Sequence, residues 1–295
     1  MSSVRELIDS VGNLISLPDV YFRVREVIND SNSTMADVAN AVACDPNITA
    51  RLLRVANSPF FGLTSKIETV TRAVNILGTR LVHDIVLETS IVRTFYGISN
   101  DVMNMDVFWY NSVYCGVIAR ILATRCNVRD SERLFVEGLL RDIGHLVMYL
   151  KIPDQAQQSL VYANDHEQAL YCVERELIGF DYAEVGGALM NHWKLPDSLV
   201  DAVRWHPQPE KAQSSPIEAS IVHIAGQLIA SLVAHEPIGQ AEIQINSVAW
   251  EKTGLSEDVL EPVIHEADHF IEETMELLFP KQTKVPTRTL KVLRA

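Results

Sequence analysis

Apolar side chains recur at intervals of three and four residues along almost the whole chain. Near the start, Val4, Leu7, Ile8 and Val11 follow this spacing. Residues spaced in this way lie on one face of an α-helix, whereas a half-buried strand alternates apolar and polar residues. Such alternation is rare here, and the segment 241–250 is the one candidate for a strand. The chain is therefore predicted to be all-α, with each helix burying one face.

Prolines, glycines and short polar side chains divide this pattern into separate helices. Because a proline pushes the preceding residue out of the helical region, helices are predicted to stop at Pro18, Pro46, Pro59, Pro196 and Pro207. Short polar side chains suit the N-cap, and caps are predicted at Ser33 or Thr34, Ser131, Asp165 and Asp181. A break is predicted near Gly78, whereas residues 131–151 are predicted to form one continuous helix.

The composition is ordinary for a globular protein, but the charge is strongly acidic. The chain has 295 residues, of which 47% are hydrophobic, and its formal net charge is -13. Because this charge repels phosphate groups, nucleic acids and anionic membrane surfaces are disfavoured as partners. There is no run of about 18 apolar residues, so no membrane span is expected. The four cysteines form no C-x-x-C pair, which favours reduced thiols and a cytoplasmic location.

Charged residues interrupt an apolar stripe in the segment VEGLLRDIGHLVMYL, residues 136–150. Arg141, Asp142 and His145 lie there among leucines, isoleucines and valines. A charge is expected inside a core only if it is paired or bound to a metal. Three interpretations are open: an ion pair of Arg141 with Asp142, a pocket that binds an anion through Arg141, or a metal site completed by histidines of other helices.

Five stretches of the chain, in this order, resemble the HDOD domain, a branch of the HD phosphohydrolase superfamily. They are DPNITARLLRVANSPFFG (45–62), AVNILGTRLVHDIVL (73–87), FVEGLLRDIGHLVM (135–148), EVGGALMNHWKLPDSLVDAVRWHPQP (184–209) and IVHIAGQLIA (221–230). The resemblance implies a bundle in which an N-terminal helical subdomain packs on a degenerate HD-type helical core. The expected segments are a subdomain at 1–105, the core at 106–213 and helices completing the core at 214–280. The segment 281–295 carries five basic residues and no acidic one, which predicts a flexible basic tail.

The resemblance also implies where the metal ligands of an active HD enzyme would fall. Histidines would stand at Asn111, Arg141 and Tyr182, a His-His pair at His206 and Pro207, and an aspartate at Gly226. Only Asp142, the second half of the His-Asp pair, and His206 keep their residue type. The six vestigial positions are Asn111, Arg141, Asp142, Tyr182, His206 and Gly226.

Electrostatics agrees with this loss of ligands. A guanidinium at position 141 is always charged and repels a divalent cation, and two protein ligands would leave a metal held mostly by water. No catalytic residue and no cofactor are therefore expected, the alternative being a divalent metal held by Asp142 and His206. A small anionic ligand could instead bind through Arg141, His145 and His206.

The function expected from the resemblance is a non-catalytic bacterial signalling or scaffold module that acts through a protein partner or a ligand in the vestigial cleft. The alternative is a metal-dependent phosphohydrolase with residual activity on a nucleotide or cyclic-dinucleotide phosphodiester. A third interpretation, nucleic-acid binding through Arg51, Arg54, Phe60 and Phe61, is disfavoured by the acidic chain. Those four residues are expected to be structural.

Overall fold

The computed structural model describes residues 3–11, 15–58, 66–95, 102–233 and 244–279. Within these ranges all regular structure is helical, which confirms the predicted all-α fold. Short 3-10 turns at Pro209–Lys211 and Glu257–Val259 accompany the α-helices. The α-helices are α1 Val4–Val11, α2 Asp19–Asn29, α3 Met35–Ala43, α4 Pro46–Ala56, α5 Val70–Phe95, α6 Met105–Arg125, α7 Ser131–Leu140, α8 Ile143–Lys151, α9 Pro153–Asp165, α10 Leu170–Leu177, α11 Tyr182–His192, α12 Asp197–Trp205, α13 Pro216–Val233, α14 Ser247–Thr253 and α15 Leu260–Leu278.

The described residues form two compact units. The larger unit contains 3–11, 102–233 and 244–272, and the smaller unit contains 15–58, 66–95 and 273–279. These units run across the four segments proposed from the sequence, and those segment boundaries stay a prediction.

Most helix boundaries follow from local chemistry. Thr34 and Asp181 are N-caps, and each is part of a capping box with the residue three positions later. The predicted cap at Asp165 is wrong, because α9, which starts with Pro153 at its first position, continues through Asp165 to its end. Ser131 is the first residue of α7 and follows the N-cap residue Asp130.

The structure confirms the predicted helix break near Gly78 but not the predicted strand at 241–250. The break within α5 is confirmed, because Gly78 has φ 78° and ψ 161°, a conformation that side chains disfavour. The strand expected at 241–250 is wrong for its described residues, because Ser247 begins α14 and the Asn246 side chain caps it.

The predicted continuous helix over 131–151 is also wrong, because the chain leaves the helix at Arg141 and Asp142. The first helix, α7, ends at Leu140, and α8 begins at Ile143. Asp142 stands at the N-cap position of α8 with φ -99° and ψ 9°, but its side chain makes no capping bond. The carboxylate pairs with Arg141 instead, so the charged residues lie on a turn rather than along a helix.

Helices α8 and α11 approach each other so closely that their backbones touch. A Cβ atom on Gly144 would lie 1.9 Å from the carbonyl oxygen of Tyr182 and 2.6 Å from the amide nitrogen of Gly186. Only glycine therefore fits at position 144. This contact sets the start of α11, and with it Tyr182, directly against the start of α8.

One helix of the described chain, α13, is long and apolar enough by length and composition to cross a membrane. However, 61% of it is buried inside the fold. It packs against α6, α7, α12 and α14 of the larger unit. This burial is typical of the core helix of a globular domain.

We expect Gly144→Ala to lower the free energy of unfolding by about 2 kcal/mol, because the added methyl group forces α8 away from α11. Gly186→Ala is the matched control, since its Cβ would come no closer than 3.3 Å to the Ile143 side chain. Its strain is offset by the higher helix propensity of alanine, about 1 kcal/mol. Chemical denaturation of both variants checks this, and equal stabilities would contradict the close contact.

Candidate functional site

Arg141 and Asp142 form an ion pair on the turn between α7 and α8. The distances from Nε and Nη2 of Arg141 to Oδ2 of Asp142 are 2.9 Å and 2.8 Å. The two side chains are only 12% and 18% exposed. Burial by itself would raise the pKa of Asp142, but the positive charge of Arg141, the nearby histidines and the hydrogen bond from Arg141 together outweigh it and bring that pKa below its ordinary value. The carboxylate is therefore ionised and engaged by the guanidinium.

The guanidinium of Arg141 also occupies the space beside α13 that a side chain at position 226 would need. A Cβ atom on Gly226 would lie 2.3 Å from Nη1 of Arg141. Gly226 is one of the vestigial ligand positions, where the family resemblance implies an aspartate. A side chain at position 226 would therefore require the guanidinium of Arg141 to move.

His206 directs both ring nitrogens to partners within the protein. Its Nδ1 lies 2.7 Å from the carbonyl oxygen of Val203, and its Nε2 lies 3.1 Å from the hydroxyl of Tyr182. The carbonyl can only accept, so Nδ1 carries the proton and Nε2 accepts from the tyrosine. Burial lowers the pKa of His206 to about 3, so the ring is neutral. Burial, followed by the charge of Asp142, raises the pKa of Tyr182 well above its ordinary value, which keeps this donor protonated.

The hydrogen-bond chain continues from His206 towards α14. Nδ1 of His223 donates to the carbonyl oxygen of His206 at 2.8 Å, and Nε2 of His223 accepts from the amide of Asn246 at 3.0 Å. Burial lowers the pKa of His223 as well, so this ring is also biased towards the neutral form. Two buried imidazoles are thus held in defined tautomers by backbone groups.

His145 faces aromatic rings and a buried glutamate. Its ring stacks on Tyr182 with centroids 4.0 Å apart and on Tyr149 with centroids 5.4 Å apart. Its Nε2 lies 3.5 Å from Oε1 of Glu174, whose Oε2 accepts from the amide of Tyr182 at 2.9 Å. Glu174 was missed by sequence reasoning, because it stands in the ordinary charged run Glu174, Arg175, Glu176 and no local signal marks it as buried.

The ion pair borders two cavities of the larger unit. One, which we call the Arg141 cleft, has a volume of about 730 Å³, and its lining includes Arg141, Asp142, Tyr182, His206, His223, Gly226, Gln227 and Asn246. The other, of about 200 Å³, is lined by Asn111, Arg141, Asp142 and His145 among others. The structure thus brings five of the six vestigial positions to one cleft and places Asn111 at the neighbouring cavity.

The residues of this cleft do not fit a divalent metal. In the part of the chain that the structure describes, no group of three or more His, Cys, Asp or Glu side chains is arranged to hold one. The two retained ligand types are committed elsewhere, Asp142 to Arg141 and His206 to Tyr182 and Val203. His192, another histidine of the sequence, is exposed on α11.

Arg51 and Arg54, the two arginines considered for nucleic-acid binding, lie in different environments. Arg51 is buried and pairs with Glu88 in the smaller unit at 2.7 Å, as expected for a structural residue. Arg54 is exposed on the same helix. Phe60 and Phe61 lie outside the described residues.

Solved structures share this architecture. A proposed phosphohydrolase from Shewanella amazonensis superposes with a TM-score of 0.70 at 25% identity, covering 92% of this chain and 96% of that chain. An HDOD domain protein of unknown function from Geobacter sulfurreducens superposes with a TM-score of 0.67 at 22% identity, covering 92% and 97%. A proposed signal transduction protein from Marinobacter aquaeolei gives a TM-score of 0.65 at 21% identity, covering 89% and 58%.

Among curated proteins, an uncharacterized protein from Treponema pallidum is 20% identical over 199 residues. These residues are 67% of this chain and 38% of that protein, so the chain spans well under half the length of this relative. The HDOD domain family itself matches residues 14–209. This match covers most of the chain, and the chain therefore belongs to the HDOD family.

Proposed function

We propose that this chain is a non-catalytic signal-transduction module in which the HD-type site is closed to metal. The observation that carries the proposal is the Arg141–Asp142 ion pair, with its guanidinium against Gly226. This pair puts a permanent positive charge where the family resemblance implies a metal ligand.

The energetic argument rests on competition for Asp142. A dication in the cleft would compete with Arg141 for the Asp142 carboxylate, whose Oδ2 the guanidinium engages, and would lie close to that positive charge. Leaving one partner of a buried pair without its counter-charge costs about 3–5 kcal/mol. His206 would also have to give up the hydrogen bond from Tyr182. Two displaced ligands give a metal little compensation, because most of its coordination would still be water.

A module without chemistry acts through what it binds. The net charge of -13 favours a basic protein surface over nucleic acid as a partner. The signalling name of the Marinobacter aquaeolei neighbour supports the same role for this chain. A small ligand in the Arg141 cleft is a second route, and the volume of about 730 Å³ is ample for one.

Metal-dependent phosphohydrolase activity is the alternative, and one observation favours it. Asp142 and His206 line the same cleft, and a neighbour from Shewanella amazonensis bears the name of a proposed metal-dependent phosphohydrolase. The two functions differ in whether the chain holds a metal at Asp142, which can be measured directly.

We expect the purified chain, equilibrated with Mn²⁺ and then dialysed, to retain far less than one metal ion per chain. It should also fail to hydrolyse bis(p-nitrophenyl) phosphate, and Arg141→His alone should not restore hydrolysis. Asp142→Ala is compared with Asp154→Ala, which removes an exposed carboxylate on α9. Stoichiometric manganese that is lost only in Asp142→Ala would establish the phosphohydrolase alternative instead.

We expect Asp142→Ala to lower the free energy of unfolding by roughly 2–3 kcal/mol, because it leaves Arg141 without a counter-charge. The expected loss is below that of a fully buried pair, since both side chains retain some exposure. The double variant Arg141→Met with Asp142→Asn removes both charges and should recover part of the loss. Urea denaturation of the three proteins measures this, and a wild-type stability for Asp142→Ala would mean that the pair contributes nothing.

A further inference from the structure

A second pocket lies wholly within the smaller unit, among α4, α5 and the end of α15. Its volume is about 260 Å³, near the lower limit of about 300 Å³ for pockets that hold drug-sized ligands. The residues that matter for its chemistry are Arg51, Arg54, Val92, Arg93, Leu277 and Phe279. Two of them, Arg51 and Arg54, belong to the stretch 45–62, one of the five that carry the family resemblance. We call it the Arg54 pocket.

The three arginines of this pocket are not equally neutralised. Arg51 pairs with Glu88 at 2.7 Å, and both side chains are buried. Arg93 pairs with Asp45 at 2.8 Å. No ion pair or hydrogen bond of the Arg54 side chain is found among the described residues. The pocket therefore carries an excess positive charge on a chain that is strongly acidic overall.

The carboxylates of Asp45 and Glu88, near Arg54, already accept hydrogen bonds from other groups. Oδ1 of Asp45 accepts from the amides of Asn47 and Ile48 as the N-cap of α4, while its Oδ2 accepts from Arg93. Oε1 of Glu88 accepts from both Nε and Nη2 of Arg51.

One guanidinium nitrogen of Arg51 lacks an acceptor among the described residues. Its Nη1 is buried and has no hydrogen-bond partner in the part of the chain that the structure describes. A buried guanidinium nitrogen without an acceptor is costly, since its desolvation is not compensated. Partial burial, and next the positive charge of Arg51, lower the pKa of Arg54 from its ordinary value. Both arginines would be stabilised by an additional anion.

Besides the arginines and the polar side chains of Asn47 and Thr89, the lining has an apolar part. Val92 comes from α5, Leu277 and Leu278 come from the end of α15, and Phe279 directly follows that helix. A fully hydrated anion such as phosphate gains nothing from these side chains, whereas a hydrocarbon body buried against them gains about 25 cal/mol per Å². The pocket thus combines a cationic edge with an apolar wall.

We infer that the Arg54 pocket binds a small monocarboxylate with an apolar body, its carboxylate at Arg54 and its hydrocarbon part against Val92 and Phe279. The planar guanidinium fork matches the two oxygens of a carboxylate. The pocket is concave and small, which suits a compact ligand better than a polymer. This inference is independent of the proposed function, because the pocket lies in the other unit from the Arg141 cleft.

The test is titration calorimetry of the full chain with octanoate as the probe, beside acetate and octanol. Octanoate should bind saturably, whereas acetate lacks the apolar body and octanol lacks the charge, so both should bind at least about tenfold more weakly. Arg54→Gln should weaken octanoate binding roughly tenfold. Arg23→Gln is the matched control, because it removes an exposed arginine of the same unit that does not line the pocket.

A second variant tests the apolar part without changing the charge. Ala50 lines the pocket and is exposed, so Ala50→Trp should fill the pocket and abolish octanoate binding in a chain that still folds. Equal octanoate affinity for wild type and Arg54→Gln would overturn the inference, and so would octanol binding as tightly as octanoate. Absence of saturable octanoate binding to the wild type would overturn it as well. None of these results depends on metal or hydrolysis, so they are distinguishable from a failure of the proposed function.

Discussion

The backbone contact between α8 and α11 is the constraint on which the Arg141 cleft depends. Because Gly144 lets the two helices touch, Tyr182 lies at once against the ring of His145, against the Glu174 carboxylate through its amide and against His206 through its hydroxyl. A side chain at position 144 would move α8, and with it His145 and the Arg141–Asp142 turn, away from Tyr182. The site is thus organised by a steric condition on the backbone, and the hydrogen bonds follow from it.

The packing of the Arg141 guanidinium against Gly226 is a second steric constraint on the cleft. The family resemblance implies metal ligands at these two positions, and here a long cation fills the space beside Gly226. Reversing only one of the two changes would not recreate a ligand set. An aspartate at 226 would require the guanidinium to move from its present place, whereas a histidine at 141 would leave a gap beside glycine. The closed state is therefore supported by packing as well as by charge.

Local chemistry explains how far the sequence predicts the structure. The helical period and the polar caps correctly indicate an all-α fold, the break at Gly78 and the caps at Thr34 and Asp181, since each depends on a few adjacent residues. The break at Arg141 is not predicted, because an apolar stripe continues through it and no proline marks the turn. The partners Glu88 and Glu174 are missed for a similar reason, since sequence alone does not distinguish a buried carboxylate from a solvated one.

The two arginine-containing pockets differ in what they leave for a ligand. At Arg141 the carboxylate of Asp142 engages two guanidinium nitrogens, and the nearby imidazole of His206 is neutral, so the cleft offers an anion little net attraction. At Arg54 the neighbouring carboxylates are already committed to Arg51 and Arg93. A charged ligand is bound by the charge that remains after internal pairing, not by the number of arginines. On that basis we infer that the pocket at Arg54 offers an anion more net attraction than the Arg141 cleft, where anion binding stays a prediction.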